Sequence, residues 1–216
     1  MGLNINYGNG GNGILVSTPD ECPFCHNKIS PTVVFSHHQN NKVRVVFLCP
    51  AETCKQIFIG YYASSNGNPY CYLSETSIGK NKSKEFHKSI NEISPSFVEI
   101  FNQAFASEQY GLTQICGVGY RKSLEFLIKD FAIKKHPIKE EEIKKNTLAN
   151  VIKDYIEDSK IKIVSKRAVW LGNDETHYVR KWETKDLTDL KNLIDLTLTM
   201  IQAESDFIEL QISMPE

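Results

Sequence analysis

Four cysteines stand in two short pairs, Cys22-Pro23-Phe24-Cys25 and Cys49-Pro50-Ala51-Glu52-Thr53-Cys54. Cysteines two to four residues apart form a knuckle that turns two sulfurs toward one ion, and two knuckles complete a tetrahedral zinc site. Such a site is structural, because four thiolates leave no coordination position open to water. A disulfide pair or ordinary buried thiols is the alternative reading of the same residues. His26, His37 and His38 are spare ligands by type, although their places suit the surface of a hairpin better. Cys71 and Cys116 stand alone and read as buried thiols.

The knuckles need a scaffold, and residues 26–48 are long enough for the hairpin that would join them. From residue 31 to about 75 the pattern is β. Residues 32–35, 43–48, 56–62 and 70–73 are rich in β-branched and aromatic types, with polar turns at 39–42 and 64–68. Residues 1–75 are thus expected to form a small antiparallel sheet with the metal at one end, and zinc to supply much of its stability. The glycine run Gly8-Asn9-Gly10-Gly11-Asn12-Gly13 satisfies the dinucleotide-binding pattern in letters only. No helix follows to present its N-terminus to a phosphate, so it reads as a loop.

Residues 76–93 read as a linker. Lys80, Lys82, Lys84 and Lys88, with His87, make it basic, either as a strap for phosphates or, preferably, as a solvated connector. Beyond it the apolar period lengthens to 3.6. Ser94-Pro95 opens a helix carrying Phe97, Phe101 and Phe105; a second spans about 112–134 and stops at Pro137. Stripes at 148–155, 161–171 and 187–201 mark three more, so residues 94–216 are expected to be an all-helical bundle and the whole chain α+β.

Charge and hydropathy bound the function classes. The 216 residues carry a formal net charge of −1, so nucleic-acid binding would rest on a local patch. No apolar run is long enough to cross a membrane, and the N-terminus has no signal-peptide pattern, which leads us to expect a soluble cytoplasmic protein. Neither a Walker loop nor a His-Glu-x-x-His motif occurs.

Two stretches of the helical half go beyond core-making. Residues 117–130 begin with Gly117 and Gly119 and place Arg121 and Glu125 one turn apart; residues 168–178 end an apolar helix in the polar cluster Gly172-Asn173-Asp174-Glu175-Thr176-His177. Over roughly residues 94–205 they resemble a family of helical domains of unknown function found alone, behind zinc ribbons, and at the C-terminus of type I restriction-enzyme R subunits. That family is similar to a branch of the HEPN superfamily, whose four- to five-helix domains often dimerise and often act as metal-independent ribonucleases in defence systems.

The resemblance implies a zinc ribbon followed by a HEPN-like bundle, a homodimer, and a site containing Arg121, Asn173 and His177. A HEPN ribonuclease carries an arginine, a polar residue and then a histidine. Here Asn173 and His177 match the last two, whereas Gly172 stands in the arginine's place and Arg167 is too distant. Arg121, Arg180 or Lys181 would have to substitute. Without the arginine, charge on a phosphate is unstabilised and His177 alone supplies only proton transfer. The expectation is therefore that Arg121, Asn173 and His177 form a structural network, with Trp170, Tyr178 and Trp182 around them at a dimer interface. Three functions follow: a non-catalytic zinc-binding module of defence or mobile-element type that meets nucleic acid or a protein partner; a divergent HEPN-like ribonuclease; or an adaptor without nucleic-acid contact. Lys80 to Lys88, and Arg44 beside the zinc site, favour nucleic acid.

Overall fold

The computed structural model describes residues 2–65 and 67–214. The chain forms two compact units that divide between Lys82 and Ser83.

The first unit is a six-stranded sheet of β1 (Leu3–Asn6), β2 (Asn12–Leu15), β3 (Thr32–Gln39), β4 (Lys42–Leu48), β5 (Ile57–Ser64) and β6 (Tyr70–Thr76), in the order β1-β2-β6-β5-β4-β3. Strands β3 to β6 fall where the sequence placed them, while β1 and β2, which flank the glycine run read as a loop and overlap it at Asn12 and Gly13, were not expected. The glycine run turns the chain between them. All neighbours are antiparallel except β2 and β6. Bulges at Val33/Phe35 and Tyr61/Tyr62 bend the sheet until its two edges meet. There Gly8 N donates to Ser36 O at 2.7 Å, and Ser36 Oγ donates to Asn6 O at 2.8 Å. The Asn9 amide bonds the backbone of His38 in both directions. The result is close to a barrel, larger than the simple ribbon expected, with its edges joined at Ser36 and His38.

Strict alternation on β4 shows how the core is chosen: Val43, Val45 and Phe47 are fully buried and Lys42 and Arg44 are exposed. Gly60 on β5 leaves room for the ring of Phe47, which lies 2.8 Å from where a Cβ would stand. Asn40 and Asn41, both at positive φ, make the tight turn from β3 to β4.

The second unit holds α1 (Lys88–Ile93), α2 (Pro95–Gln109), α3 (Thr113–Lys135), α4 (Glu140–Lys145), α5 (Leu148–Tyr155), α6 (Ser159–Asp174) and α7 (Leu187–Ser213). Their starts are written in the caps. Ser94 accepts from Phe97 N, Thr147 from Asn150 N, Asp158 from Lys160 N and Ile161 N, and Asp186 and Asp189 form a capping box. Helix α3 is central, burying Tyr120, Leu124, Leu127, Ile128 and Phe131. Helices α1 and α4, six residues each, are too short to show a period and were not foreseen.

The expected linker over 76–93 is not a free connector. Ser77 N donates to Ile59 O, and Lys82 pairs with Glu21 at 2.6 Å, which binds this end to the sheet. Within the second unit, Lys84 exchanges hydrogen bonds with the Asn102 amide and pairs with Asp195. Phe86 packs edge-on against Phe97 and Phe101. Lys88 pairs with Glu92, so most of the lysines that suggested a phosphate strap already face carboxylates.

Candidate metal centre

Cys22, Cys25, Cys49 and Cys54 come together with all four sulfurs within 4.8 Å of one another. Cys22 to Cys54 and Cys25 to Cys49 are both 3.8 Å between sulfurs. A tetrahedron with metal–sulfur bonds of about 2.3 Å has edges of about 3.8 Å, so the cluster has the dimensions of a zinc site. A disulfide would bring two sulfurs to about 2.05 Å, and all six cysteines are free thiols.

The two knuckles share one backbone design. Each reverses with a left-handed residue directly after its second cysteine, His26 at φ 59° and Lys55 at φ 49°. Each aims amide groups at sulfur: Phe24 N lies 3.4 Å from Cys22 Sγ, and the amides of Cys25, Ala51 and Gln56 face Cys22, Cys49 and Cys54. Such N–H groups stabilise thiolates and orient them, as the outer shell of a metal centre does. Cys49 closes β4 and the second knuckle returns the chain to β5, with Cys49 N donating to Gln56 O. The first knuckle is clamped at its base by the Glu21–Lys28 bridge and by Cys22 N donating to Asn27 O.

The thiols respond to crowding differently. Burial pushes Cys49 up to about 12. At Cys22 the effect of burial is outweighed by the amides of Cys25 and Phe24 and by neighbouring thiols, so its thiol lies below the ordinary value. Cys54 is raised, because burial and the thiols of Cys25 and Cys22 overcome the amide of Gln56. Four thiolates cannot crowd together unless a cation neutralises them, and a bound zinc ion would do so.

The histidines are not part of the cluster. His37 lies on β3 opposite Arg44, and His38 stacks on Tyr7 with centroids 5.1 Å apart. His26 Nε2 is buried without a hydrogen-bond partner among the described residues. Arg44, expected beside the metal, is five residues up β4 from Cys49, roughly 17 Å by strand rise. Cys71 and Cys116 are buried, as isolated thiols should be.

The helical unit assembles only part of the expected trio. Arg121 Nε donates to Asn173 Oδ1 at 3.1 Å, and Arg121 Nη1 meets Glu125 at 3.2 Å. Gly172 explains the close approach: a Cβ there would stand 2.5 Å from Arg121 Cδ, so the arginine stem crosses the bare helix backbone. Gly117 and Gly119 do the same for Glu175 and Ala104. His177 is exposed and makes no hydrogen bond or ion pair among the described residues. Asp174 closes the loop that carries it, since its carboxylate accepts from Lys181 N and Trp182 N and so ties together the two ends of residues 175–180. Trp182 stacks on Trp170 at 6.0 Å, and Arg180 pairs with Glu175.

Spacing did not reveal a second network, in which Tyr120 and Lys191 both bond Glu108, at 2.6 and 2.8 Å. Burial works to raise the Glu108 carboxyl, but Lys191 and the Tyr120 hydroxyl hold it below its usual value. The only sequence hint was a tyrosine on a buried stripe, whose hydroxyl needs a partner.

Among the described residues, no helix is long and apolar enough to cross a membrane. No family model matches the chain, and comparison with curated proteins and with solved structures returns no match.

Proposed function

We propose that this chain is a non-catalytic, zinc-stabilised binding module of defence or mobile-element type, which works by associating with nucleic acid or a partner protein. The observation that carries the reading is the thiolate cluster. With four sulfurs as ligands the ion has no open position, so its chemistry is to hold the β unit rather than to activate water. The helical unit supports the same reading. Arg121 is engaged by Glu125 and Asn173, and His177 is bonded to neither among the described residues, which favours a structural role for the pair over an acid–base and phosphate-stabilising site.

Dimerisation through the helical unit belongs to this proposal. Tyr178 and Val179, both fully or largely exposed, stand on the loop after α6 and offer the apolar surface a two-fold contact would bury.

A second reading, a divergent HEPN-like ribonuclease, draws on one observation. The Arg121 stem lies over Gly172, the position where the resembling family carries its arginine. Incubating the purified protein with single-stranded RNA, without added metal, separates the readings. The module reading expects no cleavage above the Arg121→Ala/His177→Ala background; cleavage by wild-type protein that this folded variant loses would replace it with the enzyme.

A further inference from the structure

We infer that the groove between α5 and α6 is a binding site for a nucleotide, taking its phosphate on a lysine rim and its base on Trp170. The inference rests on the binding-module reading and names the ligand chemistry of one of its surfaces.

The groove encloses about 380 Å³, within the range of small-ligand sites. Its floor is apolar, with Val169 buried beneath it. Lys153 from α5 and Lys162 and Lys166 from α6 stand around it, and no carboxylate lines it. Several lysines elsewhere in this unit are matched to acids, Lys84 with Asp195, Lys135 with Glu204 and Lys191 with Glu108, while single lysines such as Lys122 and Lys134 are not; the groove differs in gathering three at one rim. None of the three groove lysines forms an ion pair among the described residues. Lys162 Nζ reaches only the carbonyl of Lys153, at 2.8 Å. Like charges held at one rim without counterions favour a polyvalent anion such as phosphate.

The aromatic component sits at the same rim. Trp170 lines the groove, is 40% exposed, and has Lys166 Nζ 5.5 Å from its ring centroid. Trp182 stacks nearly parallel against it, at 13°, which fixes the indole plane. A rigid half-exposed indole beside cations suits a flat heterocycle joined to a phosphate. Inorganic phosphate alone would leave the ring unused.

Asn173 supplies the polar end, and Arg121 orients it. Arg121 Nε–H can only donate, so the Asn173 atom facing it is the oxygen. The Asn173 amide nitrogen is then left without a partner among the described residues, at the groove wall, as a donor for a base carbonyl or phosphate oxygen. Arg121 thus acts as a positioning residue for this contact.

A free nucleotide and one unit of a single strand share this chemistry, and titration separates them. The chain has two tryptophans, so intrinsic fluorescence reports on the groove directly. The zinc-loaded 216-residue chain is titrated with ATP, with a ten-nucleotide single-stranded oligoadenylate, and with sodium phosphate. We expect quenching by ATP or by the oligonucleotide at concentrations at least tenfold below any effect of phosphate. K162E/K166E should weaken that binding at least tenfold while keeping the wild-type melting temperature. Should the double variant fold poorly, Lys153→Gln on α5 serves in its place, with a weakening of severalfold. Comparable affinities for the two probes assign a free nucleotide; much tighter, steeply salt-dependent binding of the oligonucleotide assigns a strand. Absence of binding by both probes, or binding that the folded lysine variants leave unchanged, overturns the groove assignment. The module reading survives either of those results and falls only to the RNA-cleavage outcome above.

Discussion

The two units of this chain solve the problem of stability by different means. Among the described residues, the helical unit gathers twenty-five buried residues into one core, from Ile90 to Ile201, while the sheet gathers ten, two of them the metal-ligand candidates Cys22 and Cys49. The helical core is made almost wholly of apolar side chains packed on one another, with the Tyr120 hydroxyl satisfied by Glu108. The sheet's core runs directly into the thiolate cluster, so the integrity of its lower end is bound to the ion. A small β unit can thus be stable without a large core, provided that metal binding is part of its folding equilibrium.

The sharpest way to break this contrast is Cys49→Ser. Structural zinc contributes about 10–16 kcal/mol of apparent binding free energy in comparable sites, most of which is folding free energy. The variant should lose the cooperative order of the sheet unit, β1 to β6, while retaining nearly all helical circular dichroism. A parallel loss of helical signal would show that the units do not differ in this way.

Gly172→Arg tests the helical side with a smaller expected effect. The new side chain meets the Arg121 stem, which we expect to cost about 1–3 kcal/mol as overpacking does, measured by urea denaturation. Adding Arg121→Ala should recover part of the loss, because the clash is between those two residues. Simple additivity of the two changes would contradict the close approach.

How far these features were legible depended on how local their causes are. The cysteine knuckles, the Ser94 cap and the stripes of α2, α3, α5, α6 and α7 are written within a few residues each, and all were read. Strands β1 and β2 were missed because four residues each, beside six loop-forming ones, carry almost no periodicity. What makes them strands is the pairing of β2 with β6, more than fifty residues away, and the closure through Ser36. The basic stretch was misread for the same reason, since the partner of Lys84 is Asp195. Arg121 and Asn173 were correctly brought together, but the loop that carries His177 is closed by Asp174 bonding amides seven and eight residues ahead, which spacing alone does not reveal.

A still smaller effect should appear with pH. Glu108 is held below its ordinary value of 4.5, so its ion pair contributes stability above that value and loses it as pH falls through the lower folded value. Glu108→Gln should therefore destabilise the helical unit at pH 7, with the difference from wild type shrinking below pH 4.5 and vanishing in acid. A difference that persists unchanged at pH 2 would mean that the charge is not what the network uses. The screening of this partly exposed group keeps the effect well below that of the cysteine substitution.

Elemental analysis of the freshly purified protein, wild type beside Cys22→Ser/Cys49→Ser, tests the central claim most directly. The account predicts one zinc per wild-type chain, lost on chelation together with the order of the sheet, and none in the double variant. Wild-type protein that is fully folded and free of metal, or a double variant that keeps its zinc, would contradict it.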